Sequence, residues 1–421
     1  MIQGYRVMLI PNNKQKSKLF EFAGASRFAY NWALDKQMSA FRDGKKLISN
    51  YDLRKEFTVL RHDGEHKWLE NISNNVTKQA VKDCCDAYAK FFKKQKQKGY
   101  IKYSKKKLAH LARIGKKPTV YDMNGHPKFK SRKYSEPKFY QDTDKIQFST
   151  THVKLESIAE SRRRNRQRVN WIRLAEPGRI PVGAKYLDPR ISFDGENWWI
   201  SVAIEMTDEV ITGIYGDSLG IDLGVKDLAV ISDGTVIKNI NKTAKVRKLK
   251  KKRRRLQRQV SRKYQMNKKG ESYCKTSNLI KSEKKLLRIN HRLTNIRQNY
   301  LHQTTTEIVR RKPSLICLED LNVQGMMSNK HLSEAVQQQG FYEFRRQIEY
   351  KAARAGVTVI IADSFYPSSK TCSCCGYVKK DLKLSDRTYI CPVCGNRIDR
   401  DLQAAINLKA YGERQMLPSA S

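Results

Sequence analysis

The run DSLGIDLGVKDLAVISDGTVI occupies residues 217–237. Leu219–Asp222 reads as a short apolar strand that ends in a carboxylate, and two further strand-like runs follow, split by the turn pair Asp233-Gly234. Downstream, Lys245–Lys263 reads as a basic helix with an apolar stripe at Val246, Leu249, Leu256 and Val260. A second helix carries Leu286, Ile289, Leu293, Ile296 and Tyr300 at spacings of three and four, so the two form an expected antiparallel hairpin. Ser314–Leu318 is then a buried strand that runs into Glu319-Asp320. One helix over EAVQQQGFYEFRRQIEYKAARAG and a strand over 357–362 complete the pattern. Strands alternating with helices in this way predict an α/β sheet domain from residue 217 onward.

Upstream the signals differ. GYRVMLI near the N-terminus reads as a strand stopped by Pro11, and residues 12–92 are mostly helical. Cys84 and Cys85 in that region read as helix packing. Residues 93–138 mix Lys, Tyr, Gly and Pro, which suits phosphate contact with base stacking. Residues 144–206 read as short strands with a hairpin at Asp194-Gly195, interrupted by the basic patch SRRRNRQR at 161–168.

The chain has 421 residues, 84 Lys and Arg against 41 Asp and Glu, and a formal charge of +43. An excess of that size points to a polyanion, and nucleic acid fits best because phosphates exchange their counterions for Lys and Arg. The N-terminus does not read as a signal peptide, and no apolar run approaches the ~20 residues that cross a bilayer. No membrane partner and a cytoplasmic, nucleoid-associated location in a prokaryote are therefore expected. Motifs for P-loop ATPases, HExxH zincins and GxSxG hydrolases are missing from the sequence.

Of nine cysteines, five crowd between Cys372 and Cys394. Cys372 and Cys375 form one Cx2C pair, Cys391 and Cys394 another, and Gly376 and Gly395 follow them. Four sulfurs at that spacing predict one structural Zn2+ in a ribbon, with Cys374 left out. Three acids stand at element ends: Asp222, Glu319 and either Asp399 or Asp401. Carboxylates gathered at strand ends call for cations, and two Mg2+ ions suit phosphodiester hydrolysis. The same acids also fit helix caps or turns.

Taken together, these segments resemble the TnpB family, RNA-guided nucleases carried by insertion sequences and related to the miniature type V CRISPR effectors. Pro11, Gln15 and Leu19 followed by Arg27–Leu34 resemble the opening helical signature, and PKFKSRK (127–133) a basic motif. GIDLGVKDLAV, LEDLNV and DRDLQAAINL resemble the three RuvC motifs, and SSKTCSCCG and CPVCG the zinc element. The resemblance implies Asp222, Glu319 and Asp401 as catalytic residues holding two Mg2+, with Asp399 a helix cap. Gln403 stands where the family usually has Asn.

The implied fold is a multidomain α+β chain. A wedge-like β-barrel (1–10 and 123–215) is interrupted by a helical recognition domain (11–122). An RNase H-like RuvC domain (216–367 and 398–412) carries the basic hairpin 242–310 and an inserted zinc ribbon (368–397), and a tail (413–421) follows. The implied function is an RNA-guided, metal-dependent endodeoxyribonuclease leaving 5′-phosphate ends. It binds a guide RNA from the transposon end as a monomer and reads a short motif on double-stranded target DNA. The alternatives are a nuclease-dead RNA-guided regulator and a transposase proper. Candidate nucleic-acid contacts are Tyr51, Lys78 and Gln79 on the helical segment, and Lys250, Arg253 and Arg254 on the basic helix.

Overall fold

The computed structural model describes residues 2–132, 135–156, 168–205, 215–270, 272–383 and 386–416. The chain divides into two compact units, Met1–Asp208 and Glu209–Ser421. The basic patch 161–168 lies outside the described side chains.

The first unit is a seven-stranded antiparallel sheet with helices inserted after its first strand. That strand, β1 (Ile2–Ile10), pairs with β7 (Trp198–Glu205) and with β5 (Trp171–Leu174), so the first residues of the unit lie against its last. β6 (Tyr186–Phe193) joins β7 through the expected Asp194-Gly195 turn, and slips register between Leu187 and Arg190, where Asp188 has a positive φ and Pro189 gives no N–H. The remaining strands are β2 (Lys138–Tyr140), β3 (Gln147–Phe148) and β4 (His152–Lys154), in the order β2-β6-β7-β1-β5-β4-β3. The expected barrel is therefore an open sheet among the described residues. Its two edge strands have three and two residues, too short to close a ladder, and helices pack against β2.

Helix α1 (Asn13–Arg42) starts where Asn12 and Gln15 cap each other, each side chain accepting the other's backbone N–H at 2.9 Å. Gln15 also donates to the carbonyls of Val169 and Trp171, which fixes the helix on the sheet. Helices α2 (Asn50–Arg61) and α3 (Asn74–Gln95) follow, and α1 packs along α3 with Cys84 buried in the shared core. The basic stretch after α3 contains a short helix, α4 (Lys105–Arg113), which its lysine-rich composition hid. Lys130 of the PKFKSRK motif is turned inward. Its Nζ lies 3.3 Å from the centre of the Tyr30 ring, and burial lowers its pKa to about 8.

The second unit is built on a five-stranded sheet in the order β10-β9-β8-β13-β14. Strands β8 (Leu219–Leu223), β9 (Ala229–Ile231) and β10 (Val236–Ile237) form the antiparallel side. β13 (Leu315–Glu319) and β14 (Thr358–Ala362) run parallel to β8. Between them come helices α5 (Ala244–Met266) and α6 (Ser277–Arg310), joined by the small hairpin β11 (Lys268–Lys269) and β12 (Ser272–Tyr273). Their own core holds Val246, Leu256, Ile289 and Leu293.

A six-residue helix, α7 (Val323–Ser328), follows β13. The single helix expected over 334–356 is two, α8 (Ser333–Gln339) and α9 (Phe341–Ala355). Gly340 breaks it with a φ of 71°, and a Cβ there would press on Leu301. After β14 come β15 (Thr388–Ile390), β16 (Arg397–Asp399) and the last helix, α10 (Arg400–Met416), which lies across β8 and β13. No described helix is long and apolar enough to cross a membrane.

Candidate active site and metal centre

In the parallel register, Leu318 of β13 is level with Ile221 of β8. One residue further along each strand stand Glu319 and Asp222, and their side chains share a hydrogen bond. Both are half-buried at the carboxyl ends of their strands. Burial, then the Glu319 and Asp401 charges, hold the Asp222 carboxyl well above the usual range, with Arg400 opposing. Burial also raises Glu319, which the Asp222 hydrogen bond partly offsets. Ionising both carboxyls together is therefore costly without a cation.

Asp401 arrives from the opposite end of the chain, in the first turn of α10. Its own N–H and that of Leu402 donate to Asp399 Oδ1 at 2.9 and 3.1 Å, so Asp399 is the cap of this helix. Asp401 pairs with the Arg400 guanidinium at 3.3 Å. The helix is brought down on the sheet by residues without side-chain bulk. A Cβ on Gly220 would lie 2.0 Å from the Ala405 carbonyl oxygen, and one on Gly412 would lie 2.7 Å from Leu315 Cδ2. Ala404 and Ala405 are buried in the same contact. The sequence gave no sign of Gly220 and Gly412, whose role depends on what lies opposite them.

The cysteines form the second cluster. Sγ atoms of Cys372 and Cys394 are 3.6 Å apart, as are those of Cys375 and Cys391, and all four lie within 4.8 Å of one another. Four thiolates around Zn2+ at ~2.3 Å have sulfurs just under ~4 Å apart, so this donor set fits zinc. Asn396 Nδ2 donates to Cys372 Sγ at 3.7 Å, and Cys374 stays exposed outside the group. The cluster is fastened to α10 three times over. β16 ends at the capping residue Asp399, which is followed directly by the helix. Buried Gln403 accepts from Ser373 Oγ at 3.4 Å and from Asn396 Nδ2 at 3.5 Å. Asn407 donates to the carbonyls of Ser368 and Thr371, both at 2.7 Å. A further trio, Asp63, Glu65 and His66, also gathers within 4.8 Å, on an exposed turn that Asp63 caps.

The nucleic-acid candidates separate by position. Tyr51 is exposed on α2, 75% of it open to solvent. Gln79 donates to Asp83 Oδ1 at 3.0 Å, and Asp83 in turn receives two bonds from Arg190, so the amide donor is already engaged. Half-buried Lys78 offers its backbone carbonyl to Arg54. On α5, Lys250 donates to Gln338 Oε1 and Arg253 pairs with Glu334 at 3.7 Å. Both lie four residues along from stripe positions, Val246 and Leu249, and so turn inward. Arg254 faces solvent and, with Lys248, Lys251, Lys252, Arg255 and Arg258, lines an open depression of about 540 Å3. Helical phase separates the inward pair from the outward six, and a bare run of cations does not show it.

Three family models match the chain: the helix-turn-helix domain of IS605 OrfB over residues 1–46, IS605 OrfB, described as "Probable transposase", over 201–330, and the Cas12f1-like TNB domain over 341–408. A protein of Escherichia coli (strain K12) named, provisionally, RNA-guided DNA endonuclease InsQ is 28% identical, covering 98% of this chain and 92% of its own length. A Streptomyces pristinaespiralis protein with the same provisional description is 27% identical over 97% of this chain and 89% of its own. Among solved structures, the protein of a Cas12f1–sgRNA–target DNA complex is similar at 14% identity and a TM-score of 0.34, covering 97% of this chain and 99% of that one.

Proposed function

We propose that this chain, which carries the domains of the IS605 OrfB (TnpB) family, is an RNA-guided, metal-dependent DNA endonuclease. The observation that carries the reading is the placement of Asp222 and Glu319 side by side at adjacent parallel strand ends, with the Asp401 charge acting on Asp222. Such a site is electrostatically incomplete, and hard cations with oxygen ligands complete it. Asp222, Glu319 and Asp401 would hold two Mg2+. When bound, these ions make a nucleophile of water near neutral pH and stabilise the oxygen that leaves the scissile phosphate.

The chain's own residues prepare that arrangement. With the ions bound, Asp222 and Glu319 would be ionised and act as acceptors only. Asp399 and the cysteine ribbon set the first turn of α10, and through it the approach of Asp401. The four cysteines would hold one structural Zn2+. In this reading residues 216–367 and 398–412 are a RuvC-like nuclease domain, with the ribbon 368–397 inserted ahead of its last helix. The strands of the first unit belong to a wedge-like domain and its helices to a recognition domain. The outward cations of α5 face the RNA phosphates, and Tyr51 faces the target duplex. One such centre serves one DNA strand at a time, so a double-strand cut proceeds in two steps.

The test has two parts. RNA that co-purifies with the chain is sequenced, and a transcript from the neighbouring transposon end is expected. Asp222→Ala is then compared with the parent, on DNA matched to the 3′ part of that RNA, in Mg2+. RNA retention is expected to persist while cleavage falls by ~10³-fold or more. Cleavage that survives in the variant, or RNA unrelated to the element, removes the reading.

A further inference from the structure

Two large aromatic side chains that nothing described above uses stand close in sequence to the residues that bind Asp320, the neighbour of Glu319. Tyr342, at the start of α9, is 73% exposed, and Phe365, in the loop after β14, is 96% exposed. Isolated apolar exposure is ordinary. These two differ because their neighbours are pinned to the same acid. Asp320 directly follows Glu319 and accepts from Arg345 Nη1 at 2.7 Å and from Ser364 Oγ at 2.6 Å. Arg345 is one turn along from Tyr342 on α9, and Ser364 directly precedes Phe365. On the other side of Phe365, Tyr366 is fastened by its N–H to the Asp363 carbonyl and by its hydroxyl to the Asn407 carbonyl of α10. An exposed phenylalanine between two anchored residues is presented, and not merely left over.

Beside Tyr342 a cavity of about 260 Å3 opens, lined by Glu319, Asp320, Leu223, Phe341, Tyr342 and Arg345. It therefore borders a carboxylate of the acid pair directly. Its one arginine is not free to take a phosphate: Arg345 already pairs with Asp320 and, at 2.9 Å, with Glu349. The cavity thus offers ring and apolar surface with its cation neutralised. A nucleobase suits that surface, since every base has a π-face and stacking does not depend on its identity.

We propose that Tyr342 and Phe365 form a stacking platform for unpaired bases of the strand being cut, holding the bases beside the scissile phosphate at Glu319. The proposal rests on the nuclease reading above. It adds a positioning function: Asp320 joins the platform to Glu319, so that a base seated on the rings sets where the backbone crosses the acids. A duplex cannot use such a platform, because its bases are already stacked on each other. The site is therefore selective for single-stranded DNA.

The test uses the full chain with its co-purified RNA, and Tyr342→Ala, Phe365→Ala, the double variant, and Phe365→Tyr. Both side chains are exposed, so folding is not at stake. On a single-stranded oligonucleotide, kcat/KM is expected to fall ~5–100-fold for each alanine, the range of one lost base stack, and to be kept in Phe365→Tyr. Abasic nucleotides placed one at a time around the cut slow the parent at one or two positions and leave the double variant unaffected there. A second readout does not need cleavage. In the Asp222→Ala background, 2-aminopurine at the sensitive position is expected to be quenched on binding, and the quenching lost in the double variant. Unchanged kinetics with unchanged quenching overturn the platform while leaving the nuclease reading intact. Quenching lost in the double variant while cleavage survives Asp222→Ala keeps the rings as a surface for unpaired bases and overturns their role in placing the scissile phosphate at Glu319.

Discussion

The second unit holds two clusters of metal-type ligands that are made in opposite ways. The four cysteines span 23 residues of chain and sit on two equivalent knuckles. In each knuckle the glycine N–H returns to the first cysteine's carbonyl, Gly376 to Cys372 at 3.0 Å and Gly395 to Cys391 at 3.1 Å. Both glycines have positive φ, 76° and 71°. The acids come from residues 222, 319 and 401 on three separate elements; they do not gather within 4.8 Å as the cysteines do, and the Asp401 charge reaches Asp222 because α10 lies on β8 and β13. The energetics also differ. Thiolates around zinc stabilise a fold that is small and local. Adjacent half-buried carboxylates destabilise theirs until cations arrive. One cluster is fastened to the start of α10; the other, in the proposed reading, is the strained site which that fastening serves.

Cutting the link between them is expected to have the largest effect. Cys391→Ser should lose its bound zinc by elemental analysis and, by loosening the start of α10, lower cleavage ~10²-fold, the cost of displacing a catalytic group by about 1 Å. Zinc loss with full activity would show the two clusters to be independent. Gly220→Ala strikes the acid site alone. Its Cβ meets backbone at 2.0 Å, and we expect about 3 kcal/mol lost in thermal unfolding, with cleavage reduced and zinc content kept.

The pH dependence separates the clusters further. Because Asp222 is held above the usual carboxylate range, the folded metal-free chain binds its proton more tightly than the unfolded one. Stability from this group is present at low pH and is lost as pH rises from that range through the elevated value. Asp222→Asn should flatten this decline in Mg2+-free thermal scans and raise the midpoint near pH 7, where Cys374→Ser should change nothing. A decline as steep or steeper in the asparagine variant would contradict the raised Asp222 carboxyl. The smallest effect is expected from Asp399→Ala, about 1 kcal/mol for a lost cap, read as faster amide exchange at Asp401 and Leu402.

The two clusters were also unequally legible. Spacing alone showed the cysteine group, because Cx2C-Gly brings its own turn geometry. The acids could be picked out at element ends, but periodicity did not choose between Asp399 and Asp401; the family resemblance did, and the hydrogen bonds at Asp399 explain why the two acids differ. The helix break at Gly340 was missed because EAVQQQGFYEF keeps an unbroken helical pattern across it, and a glycine inside a helix does not announce a positive φ. The barrel expected of the first unit failed at its edges, where strands of two and three residues cannot carry a ladder. Lys250 and Arg253 were grouped with their basic neighbours, yet the stripe that buries Val246 and Leu256 carries them inward.

By itself the sequence determined the excess of positive charge, the alternation of strands and helices after residue 217, the Cx2C spacing and the presence of acids at element ends, since charge, periodicity and short-range turns are local properties of a chain. Only the tertiary structure decided which acids stand side by side, which cations face solvent, and how near α10 comes to the sheet. Those depend on what stands opposite each residue: Ala405 against Gly220, Cys317 against Gly412, and Asp320 between Arg345 and Ser364. Such partners lie up to 185 residues apart in the chain, and only packing brings them together.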